Sequence, residues 1–216
     1  MKPEVRNKLW RICKNTPVRS PLVLQPGEEP KIIPIQDVFF NKFELHILEL
    51  GSGWGEVILE LAKSNPKIGY IAMERKWNRL AQTDIQARKM NLSNLLLSGV
   101  NFQWFLRDLF LPESFDKIIL NFPDPWPKKK HHKNRAINPD FLEIIYQLLK
   151  PGGIFQFATD HSGYARRAIQ EFRKFGKFHF DSEEWSHSRP GFPISEFERE
   201  KRGEGKRIFY LDRLKS

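Results

Sequence analysis

The sequence has one cysteine, Cys13, so it makes no internal disulfide and holds no multi-cysteine metal site. It has no uninterrupted apolar run approaching the length of a membrane-spanning helix. Met1-Lys-Pro-Glu-Val-Arg6 is mixed in charge and carries no apolar signal core. Together these absences point to a cytoplasmic protein with no membrane partner. No Gly-x-Ser-x-Gly elbow is present and the cysteine lies in an irregular stretch, so a nucleophilic triad has no support. His131-His132 has no cysteine nearby and forms no i, i+4 pair with a third ligand, so no metal is expected. Negative charge is also scarce. Against 26 Asp and Glu stand 36 Lys and Arg, a net charge of +10. Such a balance suits a polyanionic partner, because basic side chains release counterions from a phosphate backbone.

What is present divides at about residue 45. Residues 1–44 read as a basic, irregular arm. Lys2, Arg6, Lys8, Arg11, Lys14 and Arg19 charge it, and Pro17, Pro21, Pro26, Gly27, Pro30 and Pro34 break any long helix. Residues 45–216 read as one catalytic domain. His46–Leu50 is a short buried strand, and Val57, Ile58, Leu61 and Ala62 follow at helical spacing. Ile68–Met73 is a second strand. The helix expected over 76–90 has Leu80, Ile85 and Met90 on its apolar side. Leu95–Leu97, Asp116–Asn121 and Ile154–Thr159 are further strands. A helix over 138–149 is stopped by Lys150-Pro-Gly-Gly153, and another spans about 162–174. The tail offers strands near Phe178–Phe180 and Arg207–Leu211. This alternation predicts an α/β fold with a mainly parallel, doubly wound sheet. Its ligand crevice lies outside the carboxyl ends of the strands.

Polar residues gather at those ends. Glu49-Leu-Gly-Ser-Gly-Trp-Gly55 is a glycine-rich turn, and the acidic Glu74 lies 23 residues beyond Gly51. Glycines permit a tight turn and close approach of a ligand, and an acid at the next strand end suits ribose hydroxyls. The spacing is Gly-x-Gly-x-Gly, not the dinucleotide fingerprint Gly-x-Gly-x-x-Gly. Glu49 would repel a pyrophosphate but suit the ammonium or sulfonium of S-adenosylmethionine. Asn101, after the third strand, is placed to hold an adenine edge.

The fourth strand runs into Asn121-Phe-Pro-Asp-Pro-Trp-Pro127. Three prolines in this run stiffen the backbone, remove three amide donors and present Asp124 and Trp126 in fixed directions. Trp126 offers a flat face to a base, and Asp124 can accept from its Watson–Crick edge. Lys128-Lys-Lys-His-His-Lys-Asn-Arg135 follows, a basic run beside a rigid aromatic platform. That pairing reads as a phosphate grip beside a base pocket.

Phe122–Arg135 closely resembles the signature of bacterial tRNA (guanine-N7)-methyltransferases. Glu49–Gly55, Thr159-Asp160 and Ser195-Glu-Phe-Glu-Arg-Glu-Lys201 match that family in order and spacing. The resemblance covers about residues 46–212. It implies a Rossmann-like, class I S-adenosylmethionine-dependent methyltransferase fold with an antiparallel C-terminal strand. It implies that Glu49, Gly51, Gly53, Glu74, Asn101 and Asp124 bind the cofactor, with Asp124 also at the reaction centre. Lys128, Asp160 and Ser195, Glu196, Phe197 and Glu198 would bind the tRNA substrate. Lys130, His131, His132, Lys133, Asn134 and Arg135 would form an RNA-interacting segment. The implied product is 7-methylguanosine in the tRNA variable loop, at position 46 by tRNA convention, made by a monomer or homodimer. Two positions depart from the family: Asn101 stands where it usually has Asp, and Ser195 where it has Thr. A methyltransferase of another RNA base, a nicotinamide-dependent oxidoreductase and a non-catalytic RNA-binding protein are the competing readings.

Overall fold

The computed structural model describes residues 2–15, 17–31, 39–126, 128–180 and 184–216. Pro34, named above as a helix breaker, and Pro127, named as stiffening the run after the fourth strand, lie outside the described residues. The chain divides into two units, Met1–Leu111 and Pro112–Ser216.

The first unit holds, in order, α1 (Pro3–Lys14), β1 (Val23–Leu24), β2 (Leu45–Leu50), α2 (Glu56–Ser64), β3 (Ile68–Met73), α3 (Trp77–Lys89), β4 (Leu95–Ser98) and α4 (Phe102–Leu109). Its strands lie in the order β1-β4-β3-β2, all parallel. Leu48, Leu50, Ile71, Met73, Leu95 and Leu97 are buried. Each fully buried side chain of this size contributes about 1.5–3 kcal/mol relative to exposure.

The N-terminal arm is not irregular throughout, since Pro3–Lys14 form a helix. Its prolines begin to break the chain only at Pro17, past the end of α1. Pro3 sits in the first turn, where a missing N–H is tolerated. Trp10 and Cys13, three residues apart, form the buried face of α1. Trp10 Nε1 donates to Gly27 O at 3.1 Å, and its ring meets Phe105 edge-on with centroids 5.0 Å apart. Burial raises the Cys13 thiol above its ordinary pKa, which makes it a poor nucleophile.

Helix α3 also departs from expectation. Its buried residues are Leu80, Thr83, Asp84 and Ala87, whereas Ile85 and Met90 are exposed. The face is defined by partners that hydropathy cannot foresee. Asp84 accepts from Ser20 Oγ and from Arg88 Nε, and Thr83 packs against the glycine turn.

The second unit holds β5 (Phe115–Asn121), a 3-10 helix (Lys129–Asn134), α5 (Pro139–Leu148), β6 (Leu149–Thr159), α6 (Ser162–Phe175), β7 (Phe178–His179), α7 (Glu196–Gly203) and β8 (Phe209–Lys215). β6 pairs in parallel with β5 and antiparallel with β8, which pairs antiparallel with β7. The antiparallel C-terminal strand is therefore present as expected. Asn138 caps α5 by accepting from Phe141 N at 3.0 Å. Lys150-Pro-Gly-Gly153 does more than stop that helix. β6 starts at Leu149 and runs through it, with a register shift against β5 between Phe115 and Lys117. Phe141 and Phe172 pack on Phe155, and Tyr164 packs on Phe157. Among the described residues no helix is long and apolar enough to cross a membrane.

Candidate functional site

In the first unit β2, β3 and β4 end side by side, and each delivers a polar group there. Gly51 N and Ser52 N both donate to Met73 O, at 2.7 and 3.1 Å, folding the turn after β2 against the end of β3. Gly51, Gly53 and Gly55 all have positive φ. Their surroundings separate two tasks. A Cβ on Gly55 would lie 2.4 Å from Thr83 Cγ2, so Gly55 lets α3 approach the turn. A Cβ on Gly53 would meet nothing within 4 Å, so bare backbone faces open space at that position.

Glu49 and Glu74 are 3% and 6% exposed. Glu74 Oε2 accepts from Gly53 N at 3.0 Å, and Oε1 accepts from Lys76 N at 2.8 Å. The acid thus fixes the glycine turn, and further lone pairs on each oxygen remain for hydroxyl donors. Asn101 is buried and caps α4, its Oδ1 accepting from Gln103 N at 3.0 Å. The oxygen expected at an adenine edge is therefore already committed to the cap through one of its two lone pairs. Phe102, the next residue, lies 3.7 Å from where a Gly51 Cβ would stand, so α4 starts at the glycine turn. Two buried carboxylates beside a bare glycine backbone would repel a pyrophosphate. They fit a ligand that brings a cation and hydroxyl donors, as S-adenosylmethionine does.

In the second unit, the run after β5 is rigid for reasons beyond its prolines. Phe122 and Trp126 have φ +51 and +42, a left-handed conformation that costs a non-glycine residue about 1–3 kcal/mol. Tertiary contacts hold it. Phe122 N donates to Ala158 O at 2.8 Å, and the Phe122 ring packs on Phe197 with centroids 5.1 Å apart. Trp126 packs on His131 at 5.7 Å. Arg135 Nε donates to Pro125 O at 2.7 Å, and its guanidinium lies 5.1 Å from the Tyr164 ring centroid. Asp124 is left exposed on this braced loop.

The basic segment divides. Lys128, Lys130 and Asn134 are exposed and His131 is half-buried. The side chains of Lys129, His132 and Lys133 lie outside the described residues. Arg135, expected to face RNA, is instead buried and staples the loop carbonyls.

The stretch Ser195–Glu198 divides too. Ser195 is the N-cap of α7, its Oγ accepting from Glu198 N at 3.2 Å. Glu196 is exposed and paired with Arg199 at 2.9 Å. Phe197 meets the Phe122 ring. Glu198 is 4% exposed, and its Oε1 accepts from Arg202 Nε at 2.9 Å and from the Tyr210 hydroxyl. Burial, then the bond to Glu198, pushes the Tyr210 phenol up to about 12, so it stays a donor. Asp160, at the end of β6, pairs with Lys206 at 3.2 Å. Sequence reasoning missed Arg202, Tyr210 and Lys206. Only Arg202 had a signal, its i, i+4 spacing from Glu198. The Ser-x-x-Glu capping pattern at Ser195–Glu198 was a signal for the helix itself. Among the described residues, no cluster of three or more His, Cys, Asp or Glu is arranged to hold a metal.

Residues 44–211 match a family model described as a putative methyltransferase. The chain is 44% identical over 214 residues to a tRNA (guanine-N(7)-)-methyltransferase of Leptospira interrogans, covering 99% of this chain and 98% of that one. It is 36% identical over 163 residues to the protein of that name in Nitrosomonas europaea, covering 75% and 72%. Among solved structures, the 16S rRNA methyltransferase KamB matches with a TM-score of 0.62 at 14% identity, covering 82% of this chain and 91% of that one. At that identity the likeness speaks to the fold, which is that of a Rossmann-like methyltransferase.

Proposed function

The chain belongs to the tRNA (guanine-N(7)-)-methyltransferase family, and on that premise we propose that it methylates N7 of the variable-loop guanosine of tRNA, at position 46 by tRNA convention. Its methyl donor is S-adenosylmethionine, and the products are 7-methylguanosine and S-adenosylhomocysteine. The observation that carries this reading is the full-length likeness to curated relatives. Residues 45–216 are assigned as the catalytic domain, working in the cytoplasm as a monomer or homodimer.

S-adenosylmethionine supplies an electrophilic sulfonium methyl. Glu49 is assigned to its cationic end and Glu74 to the ribose hydroxyls, with Gly51 and Gly53 giving backbone access and Asn101 beside the adenine. Guanine N7 carries an in-plane lone pair and no proton, so no general base is needed. Catalysis is then mostly positioning. Methylation leaves positive charge on the guanine ring, and a fixed carboxylate, Asp124, stabilises it electrostatically. Glu198 reads the guanine N1–H and amino donors. With Oε1 held by Arg202 and Tyr210, Oε2 is the oxygen left for that task. Asp160, Ser195 and Phe197 complete the substrate contacts. Lys128, Lys130, His131 and Asn134 grip the RNA, joined by His132 and Lys133 on the strength of the family signature.

The test is methyl transfer from labelled cofactor to unmodified tRNA, with and without the variable-loop guanosine, followed by digestion to nucleosides. Labelled 7-methylguanosine that disappears with that guanosine is expected. Label in a methylated exocyclic amine would overturn the reading.

A further inference from the structure

Two tryptophans in the first unit have no part in the reaction described above. Trp54 is 50% exposed and Trp77 is 60% exposed. Each follows directly on a residue whose N–H donates to Glu74: Gly53 precedes Trp54, and Lys76 precedes Trp77. Their backbones are therefore tethered, one residue away in each case, to the same buried carboxylate. Cations accompany them in the chain and, at Trp54, in space. Arg75 and Lys76 are exposed, and the Arg79 guanidinium lies 5.4 Å from the Trp54 ring centroid. Glu56 is the one exposed acid among residues 53–56 and 74–80.

Tryptophan is over-represented in contact surfaces relative to the rest of a protein's exterior. The charge near these two says what kind of partner fits. A second copy of a chain with net charge +10 would bring the same positive strip to a two-fold interface, and like charges would face each other. A polyanion with unstacked bases meets both features, since bases stack on indoles while phosphates pair with Arg and Lys. Arg79 already covers one face of Trp54, which leaves its outer edge to donate to a phosphate.

We propose that Trp54, Arg75, Lys76, Trp77 and Arg79 form a tRNA-contact surface on the first unit, in addition to the basic segment after β5. Trp77 stacks an unpaired base, and the three cations hold the adjoining backbone. The proposal rests on the tRNA reading given above.

The test uses the full-length protein and unmodified tRNA. Binding is measured by fluorescence anisotropy at several salt concentrations for wild type, W54A/W77A, W54F/W77F and R75Q/K76Q. Affinity for S-adenosylhomocysteine and sedimentation velocity are measured in parallel. W54A/W77A should weaken tRNA binding roughly 10- to 100-fold, and the phenylalanine pair should recover most of that. R75Q/K76Q should make the slope of log K against log salt shallower by about 2. S-adenosylhomocysteine affinity should stay within about twofold, since stacking is assigned to the RNA. Unchanged tRNA affinity and slope would overturn the proposal. So would loss of S-adenosylhomocysteine affinity in W54A/W77A, which would give the indoles to the cofactor. A wild-type dimer that W54A/W77A dissociates would give them to a second copy. Should the alanine pair fail to fold, the salt slope of R75Q/K76Q decides alone. Wild type that methylates tRNA while the variants bind normally sinks only this surface. Wild type that neither binds nor methylates tRNA sinks the function itself.

Discussion

Arg135→Ala separates two roles that the sequence alone would confuse. In a basic run it reads as a phosphate contact, whereas the residue is 8% exposed and its guanidinium is turned onto the loop that carries Asp124. The substitution removes a charged donor from Pro125 O, worth about 1.5–3 kcal/mol. It also removes the stack on Tyr164, worth about 1–2 kcal/mol. The second bond, to Trp126 O at 3.4 Å, is too long to add much. Without this brace the left-handed Trp126, held at a cost of about 1–3 kcal/mol, is free to relax. Relaxation caps the net loss, so we expect about 2–3 kcal/mol and a fall in Tm of roughly 4–12 °C for a chain of this size. Turnover should fall roughly 100-fold, the effect of a misplacement near 1 Å at a reaction centre. S-adenosylhomocysteine affinity should be retained, because Glu49, Gly53 and Glu74 belong to the first unit. Calorimetry, single-turnover methyl transfer and tRNA binding against salt measure the three quantities. The salt slope should not move. Arg135→Lys keeps the charge without the planar fork, so it should restore little. A slope shallower by about 1 with an unchanged Tm would refute the reasoning and return Arg135 to the RNA.

Gly55→Ala combines a left-handed φ with a Cβ 2.4 Å from Thr83. It should lose about 2–4 kcal/mol in urea melts, and T83S should not restore it, because Cβ and Oγ remain close. Asp124→Asn should lower turnover while leaving S-adenosylhomocysteine binding measurable, and the wild-type rate should be flat above neutral pH. A rise that follows one ionisation and vanishes in the asparagine variant would show that a base is at work. Burial is the leading cause that pushes Tyr70, Tyr164 and Tyr210 up to about 12 from 10.0. Their contribution to stability is complete below about pH 10, shrinks above it as the unfolded chain ionises first, and is gone past about pH 12. At pH 11 the loss is on the order of 1 kcal/mol for each, and phenolate absorbance of the folded protein near pH 10 from these three would contradict it.

The strands and the acids at their ends could be read from the sequence because the information is local. Runs such as Ile68–Met73 are too short and apolar for anything but a buried strand, and glycines after one announce a turn. Helices defined by partners were harder. α7 is polar nearly all round, and its stability lies in the Ser195 cap and in pairs such as Arg202 with Glu198. The strand–helix alternation expected from the sequence does not include α4, although Asn101 stands before it as a cap. An asparagine there suits a cofactor ligand and a helix cap equally, because the same oxygen serves either end.

The sequence by itself determined the fold class, the acid–glycine–acid edge and the chemistry to be expected there. Each depends on residue type and spacing along one strand–turn–helix unit. Only the tertiary structure decided which charges face solvent and which brace the site. Arg135 and Lys130 look alike in a basic run, but one meets the carbonyls of Pro125 and Trp126 and the other meets water. Burial and partner choice come from segments distant in sequence, as with Glu198 held between Arg202 and Tyr210. A charge paired in this way costs far less to bury than the same charge unpaired.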